Sequence, residues 1–586
     1  MMTNQMPARL SRRSLIRSGA LTIGGIAAGS WLSGCTSSPG PAANKPNGVE
    51  GVEQVQLGAE VPGPIYPSGY VGPRAREVAA FGNPEKTFRI VVPQAAEVVG
   101  DWNTNTFSKW LEQRTGVRIE YQAVNILGTD GTPDLTKINA MISSGDVPDA
   151  FLIPFTPAQV SLYGQQGLFI ALDDYIETYA PGMRQARLDY PDLINQQKSL
   201  DGKVHAFTGL SDTYHLHAYH TRTWINRQYL DSVGASVPES IDELREVLRL
   251  FKEQDPSGTG GMIPLAANSA ASGIDRFFMG SFLYNPGGDS AGGWVRLHDG
   301  QVEFVADKPE WREALRYLRR LNDDGTLDSS LFTMSAEQLL EAGNQGRLGV
   351  VRAPHQGWFA TVDDQPDSPW RDYVAVPTLK GPDGTQYASW DYNFTSSNPL
   401  VITNECSDPG TLVRWADTML ELTTLMTGYA GTQGENWDWA AEGEPGLNGE
   451  QAVWKSVAYP PPLGQGWSTN IMYYFSEDLR LAQYSDPAAP DLEKVLFEAT
   501  KEYEPLAQPK DWQLPKLIFD DSTASTQAQM AVAVHGHVTQ SMAKFATGAL
   551  DIDSDTAWDD YVNQFNAIGL ETYLDLYQKT YDSRPT

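Results

Sequence analysis

Short apolar segments alternate with segments of helical spacing once the chain passes residue 85, and this alternation constrains the fold most. Residues 88–92 and 150–153 have the apolar and β-branched composition of strands. Between them, residues 106–115 and 134–143 repeat apolar positions every three or four residues, as amphipathic helices do. Apolar strands belong to sheets covered on both faces, and helices that join consecutive strands make those strands parallel. We therefore predict an α/β architecture with a mainly parallel sheet.

The same pattern continues to the end of the chain. Further strands are predicted at residues 117–121 and 349–351, and further helices at residues 241–252, 309–322, 336–344 and 408–425. From residue 525 onward almost all of the chain has helical spacing. At about 100–200 residues per domain, 586 residues predict more than one folded unit.

The first forty residues have the order of an export signal. Four arginines and no acidic residue precede an apolar stretch at residues 20–32. That stretch is shorter than the ~20 residues that a helix needs to cross a bilayer, and the order of basic, apolar and small residues is typical of a signal peptide. Residues 11–17, SRRSLIR, resemble a twin-arginine signal, with a Sec signal as the alternative. We predict that residues 1–34 are a signal peptide.

The segment LSGC at residues 32–35 resembles a bacterial lipobox, in which the cysteine is acylated and becomes the first residue. Residues 36–84 then contain much Gly, Pro, Ser and Asn, so residues 35–84 are predicted to be an acylated Cys35 and a flexible tether. No later window reaches 18 uninterrupted apolar residues. We expect the body to lie at the extracytoplasmic face of a bacterial cell membrane, held there by a lipid anchor.

Charge and cysteine content exclude several classes of protein. Lys and Arg number 43 and Asp and Glu 73, for a formal charge of −30, which disfavours a nucleic-acid partner. The chain has two cysteines, which excludes a disulfide framework and a cysteine zinc finger. Cys406 is therefore expected to be an inert buried thiol.

Several motifs, taken in chain order, carry a family resemblance. They are KINAMISSGDVPD at 137–149, DGKVHA at 201–206, INRQYLD at 225–231, VPES at 237–240, KFATG at 544–548 and WDDYV at 558–562. Behind a lipobox, this series resembles the extracellular solute-binding lipoproteins of ABC importers, specifically the large, family 1-like oligosaccharide-binding type. The resemblance implies a periplasmic-binding-protein-like fold of type II, with two α/β lobes, hinge strands and a helical C-terminal region.

The resemblance also implies boundaries and a function. Lobe 1 is predicted at residues 85–215 and 385–470, and lobe 2 at residues 216–384 and 471–586. The expected function is capture of an oligosaccharide in a cleft between the lobes and its delivery to the permease of an ABC importer. We expect a monomer that is not an enzyme and that requires no cofactor.

Ligand-binding residues are predicted in loops, where aromatic rings stack on sugar faces and polar groups reach hydroxyls. The candidates are Asp101, Trp102 and Asn103 before the first helix; Tyr214 and His217 near the first crossing between lobes; Trp358 after the strand at 349–351; Trp390 and Asp391 near the second crossing; and Glu435 and Trp437 in a later loop. The tryptophans at 110, 311, 415 and 558 have core spacing on helices and are predicted to be structural.

Metal and catalytic signals are weak. The histidine pairs at 215/217 and 535/537 have no clear cysteine or carboxylate partner and are interpreted as structural. Relatives carry a calcium loop where this chain has DPSGTGGMIP at 255–264, in which Asp255 matches the first ligand but Ser257 and Thr259 replace stronger donors. We therefore expect calcium binding there to be weak or lost. No nucleophile elbow, Walker loop or G-x-G-x-x-G occurs.

Two alternatives stay open at this stage. The 73 acidic residues include many pairs that could serve a secreted glycoside hydrolase or lyase, and none of these pairs stands out. The same scaffold could also bind a peptide or another solute. The sequence does not identify the sugar, its linkage or its length.

Overall fold

Two four-stranded sheets organise the molecule. The computed structural model describes residues 49–127, 134–218, 222–267, 274–287, 292–327, 329–363, 365–393, 399–458, 460–489 and 491–584. The predicted signal peptide and Cys35 lie outside these ranges.

The strands are β1 (Thr87–Pro93), β2 (Arg118–Val124), β3 (Ala150–Leu152), β4 (Leu210–Ser211), β5 (Thr223–Asn226), β6 (Ile263–Ala267), β7 (Val295–His298), β8 (Gln301–Phe304), β9 (Leu348–Arg352), β10 (Tyr373–Val376), β11 (Leu400–Ile402), β12 (Trp437–Trp439), β13 (Trp454–Ser456) and β14 (Tyr474–Phe475). The helices are α1 (Thr106–Thr115), α2 (Thr136–Ser144), α3 (Pro157–Gln165), α4 (Asp173–Tyr179), α5 (Pro181–Asp189), α6 (Leu193–Gln197), α7 (Arg227–Val233), α8 (Ile241–Gln254), α9 (Ile274–Met279), α10 (Pro309–Asp323), α11 (Ala336–Asn344), α12 (Pro409–Thr418), α13 (Leu422–Ala430), α14 (Glu477–Leu481), α15 (Leu492–Tyr503), α16 (Asp521–Thr547), α17 (Asp555–Ile568) and α18 (Leu570–Ser583).

The first sheet has the strand order β11-β3-β1-β2. Strand β1 pairs in parallel with β2 and β3, and β11 joins β3 antiparallel. Ile90, Val91 and Val92 are fully buried, as expected for a strand covered on both faces. The prediction of a mainly parallel sheet is therefore correct here.

The second sheet has the order β10-β5-β9-β6, and only its β6–β9 pair is parallel. A mainly parallel arrangement is wrong for this sheet, because β5 lies antiparallel to both of its neighbours. The largest cluster of buried residues around it comes from residues 225–379 and 514–577, whereas the core on the first sheet comes from residues 70–210 and 400–482. Each core thus combines two distant parts of the chain.

The first core extends past residue 470, where lobe 1 was predicted to end. Ile471, Met472 and Leu479 belong to the first core, although residues 471–586 were assigned to lobe 2. Strand β14 explains this placement because it pairs with β4, which belongs to the first core. The chain therefore leaves the first core after residue 482.

The segment at 49–84 is not the flexible tether that was predicted. Its backbone folds back on itself through the bridge between Glu60 and Arg76, and Tyr70 and Ala75 are buried in the first core. Val55 N–H donates to the carbonyl of Thr178 at 2.8 Å. The segment lacks periodicity because it makes isolated contacts instead of forming a helix or a long strand.

Most predicted helices match the structure, and one does not. The helix expected at 408–425 is divided into α12 and α13. Glu421 interrupts it by accepting the backbone N–H groups of Thr423 and Thr424, which caps a new helix. The C-terminal region is helical as predicted, forming α16, α17 and α18.

A search of the helices in the described part of the chain finds none with the length and apolar character of a membrane span.

Cys406 is buried. Burial raises the pKa of its thiol to about 12, which keeps it protonated. This agrees with the expectation of an inert thiol.

Candidate functional site

A cavity of about 620 Å³ lies between walls that belong to the two cores. One wall is formed by Pro157 and by residues of the stretch 192–200 around α6. The other wall is formed by Leu297, residues 392–393, residues of the stretch 510–518 and the end of α18 near residues 580–584. A site between two α/β bodies is a common place for a ligand. We call this space the inter-core cavity.

A smaller cavity of about 100 Å³ adjoins it. The residues common to both are Pro157, Gln196, Lys198, Ser199, Lys516 and Ile518. The smaller cavity adds apolar side chains, including Phe155 and Leu193. The two spaces together form one region with contributions from both walls.

The lining of the inter-core cavity is rich in planar amides and aromatic hydroxyls. The amides are Asn195, Gln196, Asn393 and Gln513, and the aromatic residues are Tyr392 and Tyr581. Amides donate and accept hydrogen bonds at once, which suits vicinal hydroxyl groups, and tyrosine rings can cover apolar C–H faces. The arrangement is suited to binding a hydroxyl-rich solute.

A second cavity of about 500 Å³ lies beneath residues 55–81, against α5 and α12. Its walls come from the N-terminal segment and the first core alone. Arg76 and Arg74 in this wall already contact Glu60, at 3.1 and 3.5 Å. We therefore take the inter-core cavity as the candidate site.

Four of the predicted residues meet at the crossing between the cores. The ring of His217 stacks on Trp390 at 5.4 Å and an interplanar angle of 21°, and Tyr214 meets Trp390 edge-on at 5.9 Å. The backbone N–H of Asp391 donates to the carbonyl of His217 at 3.0 Å. We call these four residues the crossing cluster.

Two amides, the buried Gln508 and the half-buried Gln513, connect the crossing cluster to the cavity. Gln508 is fully buried, accepts the Trp390 backbone N–H at 2.7 Å and donates to the Trp390 carbonyl at 2.6 Å, as a neighbouring strand would. Gln513 accepts the backbone N–H of Tyr392 at 2.8 Å and donates to the Asp391 carboxylate at 2.7 Å. The crossing cluster thereby fixes Tyr392 and Gln513 where they line the cavity.

The crossing cluster is electrostatically coupled to nearby carboxylates. Burial alone would lower the pKa of His217, but Asp212, 3.0 Å from its Nε2, raises it above the ordinary histidine value. Burial, reinforced by Asp212, raises the pKa of Glu477 to about 7. Burial and a hydrogen bond to Glu504 raise the pKa of Tyr214. Of these groups, Glu477 is the one whose pKa lies near neutral pH.

Two predicted binding tryptophans are core residues. Trp102 is 1% exposed, donates its indole N–H to the carbonyl of Pro93 at 3.0 Å and packs on Trp467. Trp437 is fully buried and donates to the carbonyl of Gly431 at 2.9 Å. Both predictions are corrected, because each ring and its N–H are already occupied inside the protein.

The residues beside them have local roles. Asp101 accepts the backbone N–H of Asn103 within its own turn, at 2.8 Å. The side chain of Asn103 bonds both to the N–H and to the carbonyl of Tyr121 on the edge strand β2. Glu435 is exposed in its loop and does not line the inter-core cavity. The structure does not bring these three residues together with the crossing cluster.

Trp358 occupies a separate position. It ends the short 3₁₀ turn Gln356–Trp358 after β9, is half-buried and meets His355 edge-on at 6.4 Å. It does not line the inter-core cavity. Its assignment to ligand binding stays a prediction.

Sequence reasoning missed most of the cavity walls. Tyr392 and Asn393 line the cavity and directly follow the predicted residues Trp390 and Asp391, so the prediction could have included them. The stretch 192–200 precedes the DGK motif at 201–203 without any aromatic signal of its own. Gln513 gives no sequence signal, because its role depends on the approach of distant segments.

The described residues contain no group of three or more His, Cys, Asp or Glu side chains arranged to hold a metal ion. In the loop at 255–264, Asp255 accepts the hydroxyl of Ser257 on one oxygen and the N–H of Gly260 on the other, at 2.7 Å. The loop is thus closed by its own donors. Weak or lost calcium binding stays a prediction.

Comparisons with known proteins show relatives among saccharide-binding and substrate-binding proteins. The fructooligosaccharide ABC transporter substrate-binding protein FusA of Streptococcus pneumoniae is 23% identical over 514 residues, spanning 85% of this chain and 90% of that protein. The polygalacturonan/rhamnogalacturonan-binding protein YtcQ of Bacillus subtilis is 24% identical over 281 residues, 46% of this chain and 52% of that protein.

A solved extracellular solute-binding protein from Bifidobacterium longum subsp. infantis superposes with a TM-score of 0.70, at 19% identity, over 86% of this chain and 100% of that one. This likeness confirms the predicted periplasmic-binding-protein-like α/β fold. The family model for the bacterial extracellular solute-binding proteins matches residues 93–422, more than half of the sequence, and the chain therefore belongs to that family.

Proposed function

We propose that this protein captures an oligosaccharide in the inter-core cavity and delivers it to an ABC importer. The observation that carries the proposal is the cavity itself, whose amides and tyrosines come from both cores. The names of FusA and YtcQ, which specify saccharide ligands for those two proteins, support the same class of solute. No reaction is needed for this role, so we propose that the protein is not an enzyme.

The proposal includes the arrangement of the chain. Lobe 1 comprises the first core with the described residues of 49–211 and 400–482, and lobe 2 comprises the second core with the described residues of 222–387 and 483–584. Crossing segments such as 212–218 and 388–393 connect the lobes, as in hinge-bending binding proteins. Cys35 is the proposed lipid anchor, the body acts as a monomer outside the cell membrane, and the permease is its partner.

A binding screen tests the function. Titration calorimetry and thermal unfolding with neutral and acidic oligosaccharides and with short peptides are expected to show saccharide binding, since a ligand of the folded state raises Tm by mass action. Binding of peptides together with no saccharide would contradict the proposal. Release of shortened sugars during incubation would instead identify a hydrolase or lyase.

A variant connects binding to the cavity. Gln513→Ala removes an amide that lines the cavity and positions Tyr392, so saccharide affinity is expected to fall about tenfold, the loss of one good polar contact. Gln433→Ala, a change of the same kind at an exposed loop amide, is expected to leave affinity unchanged. Equal affinity of both variants would place the ligand elsewhere.

A further inference from the structure

The inter-core cavity has a charge opposite to that of the whole protein. The chain as a whole carries −30. The charged residues that line the cavity are Lys198, Lys510, Lys516 and Arg584 against Asp192 and Asp511. A positively charged lining in a strongly acidic protein is unexpected for a site that takes a neutral sugar.

Two of these cations already have partners. Lys510 lies 3.4 Å from Asp192, and both side chains are about two thirds exposed. The guanidinium of Arg584 stacks on the ring of Tyr581 at 3.7 Å and donates to the carbonyl of the same residue. Lys510 is thus paired with a carboxylate, and Arg584 is held against Tyr581.

Lys198 and Lys516 differ from them. Within the part of the chain that the structure describes, neither ammonium group has a carboxylate within 4.0 Å. Lys198 makes a single long contact, 3.4 Å to the side-chain oxygen of Asn195. Although part of Lys516 reaches solvent, loss of hydration lowers its pKa below the ordinary lysine value.

The positions of Lys198 and Lys516 indicate where an anionic group of a ligand would bind. Lys198 lies on the wall of the first core and Lys516 on the wall of the second, and both line the junction between the inter-core cavity and its smaller neighbour. An anionic group at this junction would face a cation from each wall. Such charge-assisted hydrogen bonds are stronger than neutral ones.

The acidity of the rest of the molecule does not oppose this. At physiological salt the Debye length is about 8 Å, so distant surface carboxylates are largely screened from a ligand within the cavity. The charges that lie beside the ligand dominate.

We propose that the saccharide bound in this cavity is acidic, with carboxylates on its sugar rings, and that Lys198 and Lys516 bind such a carboxylate from opposite walls. This inference rests on the proposed function, and it narrows the class of ligand from oligosaccharides in general to uronate-type or similarly carboxylated ones.

The first test compares each acidic oligosaccharide with its own carboxyl-reduced, neutral form by titration calorimetry in 0.15 M salt. The probes are trigalacturonate, trimannuronate, triguluronate, a hyaluronan tetrasaccharide and sialyllactose, with inorganic phosphate as a free-anion probe. At least one acidic probe is expected to bind ten or more times tighter than its reduced form.

The outcomes separate the two proposals. Binding of a neutral saccharide with no preference for any acidic one would overturn the present inference and leave the proposed function intact. Binding of no saccharide would overturn the proposed function, and this inference with it. Phosphate binding as tight as that of the best acidic saccharide would identify a site for free anions and overturn the inference.

Variants locate the effect. Lys198→Met and Lys516→Met are each expected to weaken the acidic probe about tenfold while leaving its neutral form unchanged, and Lys198→Arg and Lys516→Arg are expected to stay within threefold of the wild type. Lys109→Met makes the same charge change on α1, beside Glu112 and away from the cavity, and is expected to have no effect. Equal losses for the acidic and neutral forms would overturn the assignment of these lysines to a carboxylate.

Discussion

His217 faces an acceptor at each ring nitrogen. Its Nδ1 contacts the backbone carbonyl of Asp391 and its Nε2 contacts the carboxylate of Asp212. An imidazolium donates from both nitrogens, so the charged form satisfies both contacts at once. Glu477 adds a further acidic group beside this pair, and its charge raises the pKa of His217 further.

Glu477 gives the sharpest test of these pKa shifts. Its pKa is about 7 in the folded protein, above the ordinary 4.5, because burial disfavours the carboxylate. A raised acid pKa makes ionisation unfavourable for folding, and this cost is absent below pH 4.5 and complete above pH 7. Glu477→Gln is therefore expected to raise Tm at pH 8, by about 1–2 °C, and to leave it unchanged at pH 4.5.

Thermal unfolding by circular dichroism at the two pH values measures this difference. Glu435→Gln, at an exposed loop position, serves as the matched control and is expected to change Tm at neither pH. The same Tm difference at both pH values for Glu477→Gln would show that the carboxyl group is not buried as described.

Residues in loops were the hardest to predict from the sequence. Trp390 and Trp102 both lie in polar loops, yet one belongs to the crossing cluster and the other to the first core. What separates them is the carbonyl of Pro93, which accepts the indole N–H of Trp102 after the loop turns inward. That acceptor is nine residues away and follows no periodic pattern, so the sequence alone could not assign the ring.

Some helices are capped by side chains from other helices, as the start of α5 shows. At the start of α5, the backbone N–H groups of Gly182 and Met183 have no acceptor within the helix. The carboxylate of Asp417, on α12, accepts them at 2.8 and 2.7 Å. A Cβ at Gly182 would lie 3.0 Å from that carboxylate, so the small residue allows the approach.

Removing this cap should destabilise the first core. Asp417→Asn replaces one acceptor oxygen with an NH₂ group, which leaves a buried N–H without a partner. Burial raises the pKa of Asp417 to about 7, so at pH 5.5 the substitution removes no buried charge, and the free energy of unfolding is expected to fall by about 1–3 kcal/mol. Urea unfolding at pH 5.5 measures the change. Asp174→Asn, at an exposed position on α4, should stay within about 0.5 kcal/mol of the wild type; a loss no larger than this control for Asp417→Asn would exclude a capping role.

Helix positions were predictable where the sequence contains its own start and stop signals. Ser335 and Gln338 form a capping box at the start of α11, and Gly116 in the left-handed region ends α1, so both helices have the predicted bounds. The division between α12 and α13 was missed because its cap is a glutamate, a residue that is equally at home inside a helix.

The whole molecule includes the N-terminal segment as part of the first core. A chain that begins at residue 49 retains Tyr70 and Ala75, whereas one that begins at residue 83 loses these buried side chains. Burial of a large side chain contributes about 1.5–3 kcal/mol, so the shorter chain is expected to unfold several degrees lower.

Thermal unfolding of the two truncated proteins makes this comparison, with the chain from residue 36 as the reference. The chain from residue 49 is expected to match the reference. Equal Tm for all three proteins would show that residues 49–82 do not stabilise the body, as the original tether interpretation implied.

The pairing of β3 with β11 has a consequence during synthesis. Leu152 on β3 pairs with Leu400 on β11, so the edge of β3 lacks its neighbour until about 250 more residues have been made. At roughly 5–20 residues per second, that interval lasts on the order of 10–50 seconds. For this time a short, wholly apolar strand edge is open to pairing with another nascent chain. The first sheet can therefore be completed only late in translation.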